Sequence, residues 1–393
     1  MSGVQAYPID LSSLTREMTF MLLLLRAEGG LDKERARSEA ESLDWRTFCD
    51  FMEYHQTHPV LYPVLKEQLA GEEWVPAETL ERIRRLYRNN GLLMLHLAAE
   101  TSRVCSALAG QGIRSLMLKG PVLAKLLYGD LSGRTSSDLD MLVPKEQLAE
   151  TEQALVELGY RLHQESGELL NNLERKTHHH SYIHDGKDIE IELHWRLNPD
   201  TVSEPAFDEL WAGKQRSDLG KEVYTLGNED LYLYLVLHGT RHGWSCLRWL
   251  IDIDRLLALP LDWAVLNNKL RRFKSVHLGG AAVVLTASLL GTKAPAEAAA
   301  GERSVRIAQL ALTFIRERVV LFPKPERRDV ALSFNRYLFA SMTGRQKWLY
   351  AANKLYPSSK DAHVLPLPRS LHFLYFPLRP VLWFWRQVKR SSV

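Results

Sequence analysis

The chain has 393 residues, 46% hydrophobic and 25% charged, longer than the roughly 250–300 residues at which a single core stops growing, so two or three domains are expected. Lys and Arg number 50 against 47 Asp and Glu, a net charge of only +3, which excludes bulk charge as a basis for coating nucleic acid, and no DNA partner is expected. Ten Trp, 14 Tyr and 12 Phe exclude a disordered chain, and three scattered cysteines, Cys49, Cys105 and Cys246, fit neither a disulfide framework nor a paired-cysteine zinc site.

The first predicted element is Met18 to Leu25, an apolar run bounded by Arg16-Glu17 and Arg26. It falls short of the about 20 apolar residues a bilayer requires and lacks a cleavage site, so it reads as a buried helix in a cytoplasmic protein. Residues 9 to 110 read as helical throughout. Leu80, Ile83, Leu86 and Tyr87 recur at helical spacing, and Gly110 and Gly112 close the last helix. Ile113 to Leu118 is a short apolar strand ending at Lys119-Gly120-Pro121, with Pro121 suited to a first helical turn. A helix over Val122 to Tyr128 and a loop over Gly129 to Gly133 follow. Leu139 to Val143 belong to a second strand, Pro144 to Leu158 to an amphipathic helix, and Tyr160 opens another strand.

Thr177 to His184 and Lys187 to Leu197 flank Asp185-Gly186, a favoured two-residue hairpin turn. From Glu229 to about Arg345 the pattern is helical again. The plan is a helical region over 1–110, an α/β core over 111–227, a helical domain over 228–350 and a basic aromatic tail over 351–393.

The chemistry-bearing residues cluster in the α/β core. In Asp138-Leu139-Asp140-Met141, residues two apart on a strand share a face about 6.5 Å apart. Two such carboxylates suit one or two Mg²⁺ ions, which prefer oxygen ligands. Acid-x-acid pairs are common in a chain with 47 acids, and an isolated pair is usually a solvated strand end. The context carries the argument here. In Asp188 to Trp195, Ile189, Ile191, Leu193 and Trp195 take one face, while Glu190, Glu192 and His194 take the other. Lys119-Gly120 stands where a strand meets a helix, offering a close backbone approach and free N–H groups to an anion. Lys119 and Arg134 are candidate cations for a triphosphate, with Ser137 beside them. No Walker-type or dinucleotide glycine motif occurs.

Leu118-Lys119-Gly120, Tyr128, Arg134, Asp138 to Val143, Leu158-Gly159-Tyr160, Ile191 to Trp195, Trp249 to Ile253 and Leu374 to Pro380 together resemble the uncharacterised bacterial nucleotidyltransferases of the DNA polymerase β superfold. The resemblance is strongest over residues 115–255. It implies a small α+β or α/β core with a mixed sheet, flanked by helical N- and C-terminal parts. It implies Asp138, Asp140 and Glu192 as catalytic metal ligands for Mg²⁺ or Mn²⁺, with Glu190 as a rival to Glu192. It further implies Lys119, Gly120, Arg134 and Ser137 at the nucleotide. The superfamily usually carries Gly-Ser at the phosphate turn, where Lys119-Gly120 stands here. The implied reaction moves a nucleoside monophosphate from a nucleoside triphosphate to an acceptor hydroxyl on a small molecule, glycan or peptide. The alternatives are a non-catalytic nucleotide-binding or scaffolding module and a toxin-like enzyme that nucleotidylates tRNA or protein.

Two features fall outside that scheme. His178, His179, His180, His184 and His194 invite a metal reading, with His178 and His180 on one strand face, but a hairpin lining the cleft is preferred because no cysteine or helical His-x3-His with an acid completes a zinc site. His238 and His242 share a helix face and read as packing residues, with contact to nucleotide or acceptor as the alternative. After Asp361 no acid remains, while Arg369, Arg379, Arg386, Lys389 and Arg390 alternate with aromatics. Residues 365–393 therefore either pack on the body or meet the inner membrane face as an interfacial anchor. Pro377 and Pro380 are expected to break any long helix there.

Overall fold

The computed structural model describes residues 9–163, 178–198, 203–319 and 327–355, except 28, 29, 70, 294 and 299, together with 321, 325, 361 and 364–390. Thr177, the expected first residue of the hairpin, lies outside the described residues. At the centre is a mixed sheet of seven strands: β1 (Leu116–Met117), β2 (Asp138–Leu142), β3 (Arg161–His163), β4 (His179–His184), β5 (Ile189–His194), β6 (Gln215–Arg216) and β7 (Tyr224–Thr225). Their order is β3-β4-β5-β2-β1-β7-β6. β2 runs parallel to β5 and β1 parallel to β7, and the other neighbours are antiparallel. A mixed sheet flanked by helices is the architecture expected from the sequence.

Alternation along the strands divides the sheet's two faces. Leu139 and Met141 of β2, with Ile189, Ile191 and Leu193 of β5, are completely buried against Met94, Leu97, Val104, Cys105 and Leu108. Those five belong to the helix Ala77–Gly110, whose 34 residues span about 50 Å at 1.5 Å per residue. The other face turns Asp138, Asp140, Glu192 and His194 toward the helices Asn228–Arg241 and Leu247–Leu257 across a cavity. A larger apolar cluster joins Met18, Phe20, Phe48 and Leu61 to Leu250, Ile253, Val284, Ile307 and Tyr337, so the first and later helical regions share one interior.

The N-terminal apolar run is the buried helix Arg16–Leu25, capped by Thr15, whose side chain accepts from Met18 N. Arg26, just past it, donates to the carbonyls of Leu289 (2.9 Å) and Ser288 (2.7 Å), a cation meeting the unpaired carbonyls that end the helix Val276–Leu290.

The structure corrects three local expectations. The hairpin turn is longer than two residues: His184 pairs with Ile189, leaving Asp185 to Asp188 as the loop. Lys187 N and Asp188 N both donate to His184 O, and Asp188 takes φ +52°, so the extra turn is closed by local hydrogen bonds. The expected single helix after Pro144 is a 3₁₀ turn, Lys145–Gln147, followed by Leu148–Glu157. In the tail, Pro377 and Pro380 do not prevent a helix, Tyr375–Arg390. Pro377 lies in the first turn, where its missing N–H had no helical partner to lose, and Pro380 gives up one bond a turn later. Tyr375 is buried, its hydroxyl donating to Leu365 O (2.7 Å), and Arg379 pairs with Asp361. Phe373, Phe376, Val381 and Trp385 stay exposed. Among the described residues no helix is long and apolar enough to cross a membrane.

One buried charge ties the backing helix to the sheet. Glu100, 4% exposed, accepts from Tyr160 Oη (2.7 Å), Lys187 Nζ (2.6 Å) and Arg103. Burial works to raise its pKa, but the hydrogen bonds from Arg103, Lys187 and Tyr160 hold it down at about 2, against an ordinary 4.5. A carboxyl more acidic in the folded state stabilises the fold above pH 4.5, and that contribution disappears as pH falls from 4.5 toward 2. The shift corresponds to about 3 kcal/mol. Glu100→Gln is therefore expected to lose stability of that order at pH 7 and to flatten the acid limb of a urea-denaturation profile. An unchanged acid limb would show that Glu100 is not the group responsible.

Candidate active site

The site begins at the junction of β1 with the helix Pro121–Tyr128. Gly120 caps that helix at φ +75°, ψ −144°, a backbone state essentially confined to glycine. A Cβ here would lie 3.5 Å from Asp138 O, so the turn packs directly on the start of β2. Lys119, one residue earlier, places Nζ 2.9 Å from Asp140 Oδ1.

Parallel pairing of β2 with β5 sets Asp138 opposite Glu190, Asp140 opposite Glu192 and Leu142 opposite His194. The expected convergence of acids from two strands is thus a matter of register. Asp140 and Glu192 are direct neighbours, with Asp138 one step along the same face. Glu192 lines the cavity, whereas Glu190 does not. His194 Nε2 stands between the pair, 3.3 Å from Asp140 Oδ1 and 3.2 Å from Glu192 Oε2. Asp140 is completely buried, and neither of its oxygens has a well-directed hydrogen bond.

The electrostatics follow from this crowding. Burial, then the neighbouring charge of Asp140, pushes Asp138 up to about 6. Burial would raise Asp140 as well, but Lys119 and His194 hold it well below the usual carboxylate range. The His194 imidazole, although buried, is raised by its contacts with Asp140 and Glu192. Ser136 contributes a residue that the sequence reading passed over, donating from Oγ to Asp138 O (3.2 Å) and Oδ1 (3.3 Å).

The two cations expected to face a triphosphate are both engaged by carboxylates. Lys119 is drawn to Asp140, since a fully buried carboxylate requires a nearby countercharge. Arg134 is 1% exposed and grips Asp252, Nε to Oδ1 at 2.9 Å and Nη2 to Oδ2 at 3.0 Å. Its Nη1 donates to Thr135 O. Its fork is spent inside the protein, so Arg134 joins the loop before β2 to the helix Leu247–Leu257 instead of presenting a free charge. Ser137 lines the cavity, as do Arg241 and Arg248 from the helical side.

The cavity, about 320 Å³, falls within the range of small-ligand sites. Five histidines line it: His178, His179, His194, His238 and His242. The expected pairing of His178 with His180 does not occur. β4 begins at His179, which faces His194 across the sheet, while His180 turns to the opposite face and meets Glu152 at 2.7 Å. His184 lies at the far end of β4 against Tyr160. His238 and His242, 4.6 Å apart between ring centroids, do reach the cavity. Burial lowers both, His242 to about 3. Their i, i+4 spacing, with the resembling segment Trp249 to Ile253, was the sequence signal for this helical wall.

One ligand atom each from Asp140, Glu192 and His194 lies within 4.8 Å of the others. The raised Asp138 carboxyl signals negative charge short of a cation, while Asp140 is held ionised by Lys119 and His194. The donor set therefore fits a divalent ion.

An acidic strand, an acid on its parallel neighbour and a glycine turn that meet at one helix-roofed cavity define a nucleotidyl-transfer core. A family model described as "Uncharacterised nucleotidyltransferase" matches residues 41–291, and the chain belongs to that family. No curated protein and no solved structure matches it. Nucleotidyl transfer is its general chemistry and a nucleoside triphosphate its substrate class. The tail segment Leu374 to Pro380, part of the resemblance read from sequence, lies outside the matched residues.

Proposed function

We propose that the chain is a divalent-metal-dependent nucleotidyltransferase with Asp138, Asp140 and Glu192 as ligands for Mg²⁺ or Mn²⁺. It would transfer a nucleoside monophosphate to an acceptor hydroxyl on a small molecule, glycan or peptide. The observation that carries this reading is the register pairing Asp140 with Glu192, one step from Asp138. When bound, the ion supplies charge neutralisation at the α-phosphate and the leaving pyrophosphate.

The chain's own residues do the rest. N–H groups of the Gly120 turn and the side chain of Ser137 receive phosphate oxygens. Lys119 and Arg248, which line the cavity, set a positive field around the triphosphate. The acceptor oxygen forms its bond to the α-phosphorus as the bond to the β-phosphate oxygen breaks. The hydroxyl proton passes to Glu192, whose side chain is 26% exposed while that of Asp140 is fully buried. Rate enhancement then comes mainly from positioning and preorganised charge. The exposed aromatics Phe373, Phe376 and Trp385, in a tail whose sequence is basic, support contact with an anionic membrane surface as a peripheral addition.

The test is to incubate the full chain and a cell extract with each α-³²P-labelled triphosphate and Mg²⁺ or Mn²⁺. Chelator-sensitive label on a discrete acceptor is expected. Label on tRNA or protein would favour the toxin-like alternative, and tight nucleotide binding without labelling would overturn the enzymatic reading.

A further inference from the structure

The cavity also holds a set of nitrogen donors that the proposed reaction does not use. His178, His179 and His194 form a triangle, with ring centroids 4.5 Å (His178–His179), 5.1 Å (His178–His194) and 5.0 Å (His179–His194) apart. One ring nitrogen of each lies within 4.8 Å of the other two. The backbone explains the cluster. His179 pairs directly across the antiparallel β4–β5 ladder with His194, and His178 is tied to the same ladder through Trp195 N donating to its carbonyl (3.1 Å).

A second, independent observation points to a ligand. His194 is 3% exposed, and while its Nε2 lies against Asp140 and Glu192, its Nδ1 is buried without a hydrogen-bond partner, as is His179 Nδ1. Buried imidazoles ordinarily find partners, because an unsatisfied buried polar atom costs about 1–3 kcal/mol. Three imidazoles that turn toward one another without bonding to one another are arranged as donors to a common acceptor.

We infer that His178, His179 and His194 form a site for a borderline transition-metal ion of the Zn²⁺ class, adjoining the oxygen set of Asp138, Asp140 and Glu192 at His194. The division follows ligand hardness. Asp138, Asp140 and Glu192 offer only oxygen, which suits Mg²⁺, whereas three imidazoles, His194 giving up its proton as the ion binds, suit Zn²⁺, Co²⁺ or Ni²⁺ and attract Mg²⁺ poorly. Three protein nitrogens leave the fourth tetrahedral position open, as in catalytic zinc sites. All three histidines line the cavity, so that position falls to water or to an oxygen of the bound acceptor. Glu192 stands 3.7 Å from His179 Nε2 and 3.2 Å from His194 Nε2, where an outer carboxylate orients ligating imidazoles. Zn–N bonds of about 2.0–2.1 Å require the rings to close somewhat. His179, with 28% of its side chain exposed, has room to turn.

The experiment uses the full chain, stripped by chelator and held in millimolar Mg²⁺ so that the oxygen set is supplied. Titration with Co²⁺, read by visible absorption, is expected to give a single equivalent with intense tetrahedral bands that Zn²⁺ displaces and Mg²⁺ does not. The double variant His178→Gln/His179→Gln is expected to lose more affinity than the about 10–100-fold that removal of an outer-shell partner costs. Asp138→Asn and His238→Gln should keep the Co²⁺ spectrum. Circular dichroism verifies that the double variant is folded, and His179→Ala alone is the substitute if it is not. Absence of tetrahedral bands, ready displacement by Mg²⁺ or an undiminished spectrum in a folded histidine variant would overturn the site. None of these outcomes depends on nucleotidyl transfer, so the carboxylate reading is judged separately.

Discussion

Asp138→Asn is expected to lower nucleotidyl transfer by at least about 10²–10³-fold, the usual effect of removing one preorganised charge-stabilising group, while making the metal-free protein more stable. The two effects share one cause. Burial and the nearby Asp140 raise the Asp138 carboxyl from an ordinary 3.8 to about 6. A carboxyl harder to ionise in the folded than in the unfolded chain weakens the fold as pH rises from 3.8, with the full penalty reached above 6. A shift of about two units is worth about 3 kcal/mol. Asparagine keeps the shape and removes the charge, so thermal melts in chelator at pH 7.5 should show a gain of about 1–3 kcal/mol that nearly vanishes at pH 4. Mg²⁺ should raise the melting temperature of the unmodified protein more than that of the variant. Unimpaired labelling by the variant would remove Asp138 from the catalytic set. Loss of both stability and activity would make it a structural residue instead.

The largest expected stability effect lies behind the cavity. Arg134 and Asp252 are 1% and 0% exposed and bonded through two nitrogens, and Tyr128 Oη adds a 2.8 Å hydrogen bond to Asp252 Oδ1. Asp252→Ala leaves a guanidinium buried without its counterion, which costs about 3–5 kcal/mol. Replacing both partners, as Arg134→Met with Asp252→Leu, removes the uncompensated charge and should recover most of that loss, since apolar substitutes for a buried pair are often neutral or better. Urea denaturation of the unmodified protein, Arg134→Met, Asp252→Leu and their combination closes a cycle that gives the coupling directly. Additive losses would mean that the pair contributes no mutual stabilisation. The single Asp252 variant should also lose labelling activity, because the pair anchors the helix that carries Arg248 and Trp249 into the cavity.

That Asp138 and Asp140 share one strand face, and Glu190, Glu192 and His194 another, was readable from strand periodicity. Alternation in Asp138 to Leu142 and in Ile189 to His194 separates a wet face from a dry one, and the dry residues are buried as that alternation requires. Periodicity does not say which acid on one strand faces which acid on another. Glu190 and Glu192 were equivalent until the β2–β5 register set Glu192 beside Asp140. The same limit applied to Arg134. A basic residue four positions before an acidic strand looks available to phosphate, and only a partner 118 residues away shows its charge to be spent. The histidines were legible as a cluster but not in direction, because a one-residue shift in the pairing of β4 with β5 exchanges the face of every side chain along it, and His178 precedes the strand.

Local sequence alone determined that this chain has a glycine turn at a strand end, an acidic pair on one strand face and helices before and after a small sheet. Each is set by neighbours within a few residues, through backbone sterics and the two periodicities of burial. Tertiary structure alone decided which charges meet. That outcome depends on strand register and helix docking between segments far apart in the chain, where the cost of burying an unpaired charge selects partners that no local pattern contains.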